Sequence, residues 1–203
     1  MSPSQTAQFA QIDNFLTPGE HSNLLKYVLD RQSDFVPTST STGDLDYRKS
    51  WILYHFEDYQ TWMLQKVSAV IPHLLNYWNI KPFPIAQIEI QLTAHNDSNY
   101  YKVHNDNGSP DAATRTISYV YYFNREPTQF SGGTLRIYDM NVANGHYVQA
   151  ESYQEIQPLN NRIVFFPSHY LHEVLPISCP SGDFADSRFT LNGWIRREAA
   201  EYV

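Results

Sequence analysis

Tyr101-Lys102-Val103-His104-Asn105-Asp106 is the stretch from which the whole chain can be read. It has the form His-x-Asp, with an aromatic ring three residues upstream of the histidine. On an extended backbone, side chains alternate with period 2, so His104 and Asp106 point to the same side. One imidazole nitrogen and one carboxylate oxygen can then reach a single metal ion. Two ligands do not make a stable site, and the third has to come from a distant segment. The best candidate is His172, in Phe165-Phe166-Pro167-Ser168-His169-Tyr170-Leu171-His172-Glu173-Val174. Two histidines and one carboxylate on one face of an octahedron leave three positions open, which suits a non-haem Fe(II) centre.

Composition narrows the class. A chain of 203 residues fits one domain spanning 1–203. Hydrophobic residues make up 42% and charged residues 17%, enough to build a packed core and too apolar for a disordered chain. The 15 tyrosines and 11 phenylalanines favour strands and deep pockets. A formal net charge of −7, with no basic stripe, speaks against nucleic acid as a partner. The single cysteine, Cys179, rules out an internal disulfide and a zinc–thiolate cluster. Met1 to Gln11 lacks the apolar core of a signal peptide, and no run approaches a membrane span. These features predict a soluble, cytoplasmic protein with no membrane partner.

Outward from the His-x-Asp stretch, the periodicities assign the elements. Residues 1–10 read as a flexible tail. Thr17-Pro18-Gly19-Glu20 is a helix start, with Thr17 as cap, Pro18 at the first helical position and Glu20 closing a capping box. The polar segment 33–46 reads as a surface connection or a mobile lid loop. Tyr47 to Leu53 reads as a strand. Glu57 to Trp78 is the longest helix, with Met63, Val67, Val70, Ile71, Leu74, Leu75 and Trp78 on one face. Gln87 to Leu92 alternates strictly, His95 to Asn99 reads as a turn, and Thr116 to Phe123 is an aromatic strand. Further strands are expected at Thr134–Tyr138, Arg162–Phe166, Leu171–Leu175 and Phe189–Arg196, with a turn at Asn144-Gly145. Two helices followed by a run of short strands predict a β-rich α+β fold, a sandwich or barrel backed by helices.

Three features join the metal triad. The second histidine ends an apolar strand. Arg188 lies sixteen residues beyond His172, on the next strand. Tyr122 closes the aromatic strand between the two halves. A planar guanidinium beside a buried metal site calls for a carboxylate held in bidentate geometry, and so for a small dicarboxylate co-substrate.

In these residues the chain resembles the 2-oxoglutarate- and Fe(II)-dependent dioxygenases, specifically the prolyl 4-hydroxylase-like branch. The resemblance runs from about Ile12 to Arg196. It is carried by Ile12-Asp-Asn-Phe-Leu-Thr-Pro-Gly-Glu20, Tyr47-Arg48-Lys49-Ser50, Tyr101-x-x-His104-x-Asp106, Arg115 to Asn124, Gly132-Gly133-Thr-Leu135, Phe166-Pro-Ser-x-x-Leu-His172-Glu-Val174 and Arg188-x-Thr190-x-x-Gly193-Trp194. It implies a double-stranded β-helix, a jelly-roll and cupin-like core backed by the N-terminal helices. It implies Fe(II) on His104, Asp106 and His172. Arg188 would pair with the distal carboxylate of 2-oxoglutarate, Tyr122 and Thr190 would hydrogen-bond the same end, and Tyr101 would line the pocket. The implied cofactors are Fe(II), 2-oxoglutarate and O2, with ascorbate as an optional reductant. The implied chemistry is hydroxylation of an unactivated C–H bond, because the carboxylate of Asp106 stands where halogenases of this kind carry a small residue.

Alternatives stay open at this point. His169 could replace His172 as ligand, although the Leu-His-Glu-Val context favours His172. The segment from Cys179 to Ser187 is longer than the family's usual connection, which leaves Arg196 and Arg197 as fallbacks for Arg188. Ala94 or its neighbour stands where some prolyl hydroxylases carry a pocket tyrosine. His95 and His55 could line the substrate mouth. The substrate could be a prolyl residue of a peptide or protein, a free amino acid or a natural-product intermediate. From another class, the chain could be a non-catalytic cupin-like sensor.

Overall fold

The structure is a computed structural model that describes residues 5–38, 46–143 and 146–199. In chain order the elements are β1 (Ala10–Asp13), α1 (Pro18–Leu29), β2 (Val36–Pro37), β3 (Arg48–Lys49), β4 (Trp51–Leu53), α2 (Glu57–Tyr77), β5 (Ile85–His95), β6 (Tyr100–His104), β7 (Arg115–Phe123), β8 (Ser131–Gly132), β9 (Leu135–Ala143), β10 (His146–Ile156), β11 (Arg162–Pro167), β12 (His172–Val174), β13 (Ile177–Ser178) and β14 (Arg188–Arg197). The strands form a seven-stranded sheet, β1-β11-β7-β14-β5-β4-β2, and a five-stranded sheet, β10-β9-β12-β6-β3. A short pair, β13-β8, stands apart from both. All their pairings are antiparallel. This is a jelly-roll, double-stranded β-helix core, the fold that the family resemblance implies.

Both helices pack on the outer face of the larger sheet. The capping box of α1 is formed as expected: the Thr17 N–H donates to Glu20 Oε2 at 2.9 Å and the Glu20 N–H to Thr17 Oγ1 at 3.3 Å. Leu24 and Val28 of α1 and Met63, Val67, Ile71 and Leu74 of α2 share one core with Tyr119, Tyr121, Phe123, Leu191 and Ile195. Burying each such side chain contributes roughly 1.5–3 kcal/mol. Period 2 splits β7 between two cores. Tyr119, Tyr121 and Phe123 face the helices, while Tyr122 faces inward with Leu135, Ile137, Val164 and Phe166. The outer face of the sheet is thus apolar, while its inner face mixes apolar Val164 and Phe166 with buried polar groups such as Ser118, Arg188 and Thr190, each of which needs a specific partner or a specific use.

Several expectations change. The flexible tail expected over residues 1–10 is tied down from Gln5 onward. Gln5 bridges to Met140, the Ala7 N–H donates to Asp139 Oδ1 at 2.8 Å, and Ala7 is buried. The apolar Ala7 and the unpaired edge beside β9 both lose water exposure by this docking, which local composition does not reveal. Residues 1–4 lie outside the described residues. So do 39–45, the centre of the expected lid loop, and the expected Asn144-Gly145 turn. At the start of that loop Phe35 is buried against Phe184, ring centroids 5.0 Å apart, and Val36 pairs with Ile52. β10 was not expected from the sequence; Gln149–Tyr153 carries a register irregularity that breaks its alternation. β5 runs on to His95, so this histidine ends a strand instead of opening a turn. Among the described residues, no helix is long and apolar enough to cross a membrane.

Candidate active site

β6 and β12 lie side by side in the smaller sheet, with His104 opposite His172. Asp106 follows β6 by two residues and is fixed by its own N–H, which donates to Ser168 O at 3.0 Å. The three side chains converge. His104 Nε2 lies 3.7 Å from Asp106 Oδ1, and His172 Nε2 lies 3.4 Å from Asp106 Oδ2. One ligand atom from each falls within 4.8 Å of the others, a group that can hold a metal ion. The three side chains are between 6% and 9% exposed. His169, the alternative ligand, is not part of this group.

Backbone carbonyls set the histidine tautomers. His104 Nδ1 lies 2.7 Å from Lys102 O, and His172 Nδ1 lies 3.0 Å from Tyr170 O. Each Nδ1 therefore carries the proton and donates it, which leaves both Nε2 lone pairs facing the centre. The Tyr101 ring stacks on His104 at 3.6 Å, and Phe166 packs edge-on against His172 at 4.7 Å. Burial, and then the neighbouring His172, pull His104 down to about 3, so its imidazole is neutral and able to ligate. Burial pushes the Asp106 carboxyl up, but His172, His104 and hydrogen bonds from Ser118 and Trp194 together outweigh it. The carboxyl therefore stays below the ordinary range and ionised. Ser118 Oγ donates to Asp106 Oδ2 at 2.6 Å.

The triad opens onto a cavity of about 790 Å³ between the two sheets. Arg188, the first residue of β14, reaches into it and is 1% exposed. Its Nη1 donates to Gly133 O at 3.2 Å, and it has no carboxylate partner among the described residues. Its Nε and the Tyr122 hydroxyl are both buried without a hydrogen bond of normal geometry. The guanidinium carbon stands 5.3 Å from the centre of the Tyr122 ring. Burial pushes the Tyr122 hydroxyl up to about 12, so it remains a neutral donor. Gly133 sits at φ +67, and a Cβ there would meet Ile177 Cγ1 at 2.8 Å and Arg188 Cδ at 3.3 Å. Its backbone is therefore free to approach the guanidinium as no other residue's could. Arg196 and Arg197 do not replace Arg188: Arg196 is bound to Glu89, and Arg197 is exposed.

These residues suit the groups that the sequence implies. Two imidazoles whose Nε2 atoms face the centre and an ionised carboxylate make a 2-His-1-carboxylate donor set for Fe(II). The Arg188 guanidinium, with its Nε unbonded and no carboxylate partner among the described residues, and the orphaned Tyr122 hydroxyl make a receptor for a carboxylate. Thr190 also lines the cavity, but its hydroxyl is already shared with Thr93 Oγ1 at 2.6 Å. Two further polar residues line the cavity: Arg48, to which sequence reasoning gave no role in the site, and His95, which it placed at the substrate mouth. The signal for His95 was parity. It stands opposite Arg188 in the β5–β14 register, as Thr93 stands opposite Thr190, so all four face inward.

The profile of the 2OG-Fe(II) oxygenase superfamily matches residues 90–196, more than half of the chain, and the chain belongs to that superfamily. Membership implies Fe(II), 2-oxoglutarate and O2 as its cofactors. An uncharacterized PKHD-type hydroxylase from Synechocystis sp. is 42% identical over 192 residues. The match covers 94% of this chain and 63% of that relative, so the chain spans less than two thirds of its length. Among solved structures, a Pseudomonas putida prolyl-4-hydroxylase aligns with a TM-score of 0.65 at 22% identity, covering 96% of this chain and 95% of that one. A Trichoplax adhaerens prolyl hydroxylase, solved in complex with a hypoxia inducible factor peptide fragment, aligns with a TM-score of 0.68 at 20% identity, covering 95% and 84%. Both share the fold.

Proposed function

We propose that the protein is an Fe(II)- and 2-oxoglutarate-dependent dioxygenase that hydroxylates an unactivated C–H bond, with a prolyl residue of a peptide or protein as the leading substrate. The observation that carries this is the buried, unpaired Arg188 beside the His104–Asp106–His172 group. In this reading those three hold the iron. Arg188 and Tyr122 bind the distal carboxylate of 2-oxoglutarate, with Thr190 beside them. Tyr101, stacked on His104, limits that ligand's movement and walls the pocket.

When bound, the iron supplies the oxidation: one substrate C–H, one 2-oxoglutarate and one O2 become an alcohol, succinate and CO2. The chain's own residues do the rest. Ser118 and the Asp106 N–H contact orient the carboxylate, and the two backbone carbonyls orient the imidazoles. The apolar side chains Phe166, Leu135 and Val174 keep water from the centre.

The prolyl preference is supported by the fold shared with prolyl hydroxylases, one of them solved with a peptide. The test is anaerobic addition of Fe(II) and then 2-oxoglutarate to metal-free protein, followed by visible spectroscopy for the metal-to-ligand charge-transfer band. Succinate release is then measured with prolyl peptides and with free amino acids. A band with turnover on prolyl peptides supports both halves. Turnover only on free amino acids moves the substrate to the small-molecule class. Iron binding without a band overturns the oxygenase reading and favours the cupin-like sensor.

A further inference from the structure

Of the arginines in the described residues, Arg31, Arg115, Arg125, Arg136, Arg162 and Arg196 each have a carboxylate partner. Arg197 is exposed. The remaining two, Arg188 and Arg48, both line the cavity, and neither has a carboxylate partner among the described residues. Arg188 is fully buried, and Arg48 is half-buried and feels the Asp106 carboxylate without pairing to it. A guanidinium withdrawn from water without a paired counter-charge is expensive, so each is suited to receive an anion.

One anion does not serve both. Fe(II) and Arg188 would carry three positive charges, and Asp106 with 2-oxoglutarate three negative ones, which balances without Arg48. The two arginines also sit on different strands and lean on different partners. Arg188 on β14 donates to Gly133 and faces Tyr122. Arg48 on β3 donates from Nε to Ser50 Oγ at 3.0 Å and lies 5.0 Å from the centre of the Tyr101 ring, which itself stacks on His104. Arg48 therefore stands beside the metal group, with its two terminal nitrogens unengaged by any described residue. Arg115, the other arginine in the cavity, is held by Glu89 at 2.5 Å.

His95 adds a second polar group to the cavity, from the other sheet. It is 4% exposed, it lines the cavity, and its Nδ1 is buried without a partner. Burial, then Arg188, then Arg48 hold the imidazole neutral, so it keeps one N–H to donate into the cavity that all three line.

We propose that Arg48 and His95 form a second carboxylate-binding position, separate from that of Arg188, and that it receives a carboxylate of the molecule being hydroxylated. The inference rests on the oxygenase reading above and narrows its substrate class. The substrate carries a carboxylate close to the reacting carbon, as a free amino or imino acid does, or a peptide with its C-terminus or an acidic residue at that place.

The experiment uses the whole chain loaded with Mn(II), which binds without turnover. 2-Oxoglutarate is titrated calorimetrically into the wild type, Arg48→Gln and Arg188→Gln. Proline, N-acetylproline and N-acetylprolyl-aspartate, each paired with its carboxamide, are then titrated into the 2-oxoglutarate-loaded proteins. Arg188→Gln should weaken 2-oxoglutarate at least about tenfold and Arg48→Gln less than about threefold. At least one carboxylate should bind the wild type about tenfold more tightly than its amide, and Arg48→Gln or His95→Phe should reduce that preference below about threefold. Arg48→Met, which keeps the stem, replaces Arg48→Gln if the latter does not fold. The inference is overturned if the Arg48 variant weakens 2-oxoglutarate as much as the Arg188 variant. It is equally overturned if no carboxylate outbinds its amide on the wild type, or if the preference survives the substitution. Failure of the wild type to bind 2-oxoglutarate at all defeats the oxygenase reading instead.

Discussion

His104 and His172 stand directly opposite each other on the antiparallel strands β6 and β12, with ring centroids 4.2 Å apart. The candidate metal group is therefore built on a strand pairing. The backbone ladder holds the two imidazoles at one spacing, and Asp106, two residues past His104, closes the triangle from the strand end. A scaffold of this kind sets ligand positions more rigidly than loops do.

His172→Ala and His104→Ala should each lower Mn(II) or Fe(II) affinity more than about 100-fold, since even an outer partner of a ligand carries 10–100-fold. Calorimetric metal titration reads this directly. Unchanged affinity in either variant would remove that histidine from the site, and His169 would have to be reconsidered.

Ser118→Ala tests the support of the carboxylate. Its hydroxyl donates to Asp106 Oδ2 and is buried, so its loss leaves one ligand oxygen without a donor. Metal affinity should fall by about tenfold or more, with the melting temperature of the metal-free protein little changed. A metal affinity equal to that of the wild type would show that Trp194 and the backbone position Asp106 without Ser118.

Arg188→Gln should leave metal affinity within about threefold and raise the 2-oxoglutarate requirement strongly. A desolvated carboxylate–guanidinium pair is worth ~2–5 kcal/mol, which is about thirtyfold at the lower end. The charge-transfer band, titrated anaerobically, measures it. A change under threefold would mean that another group binds the distal carboxylate.

Gly193→Ala tests the register on which the cavity depends. A Cβ at this position would meet Glu89 O at 1.9 Å and the Tyr119 hydroxyl at 2.6 Å. β14 and β5 would have to separate there, and forced overpacking of this kind costs about 1–3 kcal/mol. A thermal melt should show a drop of several degrees, since about 1 kcal/mol moves the midpoint by about 2–4 °C in a domain of this size. An unaltered melt would contradict the close approach of the two strands.

Much of the site was legible because its parts are local. The spacing of His104 and Asp106 needs only the period of an extended strand. The capping box at Thr17 and Glu20, and the face of α2 from Met63 to Leu75, need only the geometry of one helix turn. His172 and Arg188 were found by their sequence context and by resemblance. Thr190 was expected to hydrogen-bond the co-substrate; it lines the cavity, but its hydroxyl bond to Thr93 depends on a strand about a hundred residues away and was invisible. Residues 5–10 looked polar and loose because the partner that docks them, Asp139 with Met140, lies on the far side of the chain.

His95 marks the boundary between the two kinds of information. Its sequence neighbours, Ala94 and Asn96, say nothing of a guanidinium, and the reading left it at the substrate mouth. The β5–β14 register puts it opposite Arg188, and the β3–β6 pairing brings Arg48 beside Tyr101 on the other sheet, so that all three line one cavity. From the sequence alone follow the helices and most strands, which rest on periodicity and short-range spacing, and, through the family resemblance of its motifs, the class of chemistry and a candidate metal-ligand set. The tertiary structure decided which buried polar groups share one cavity and which of them lack a partner. Those outcomes depend on strand order and register, which are set by contacts between segments too distant in sequence for any local pattern to encode.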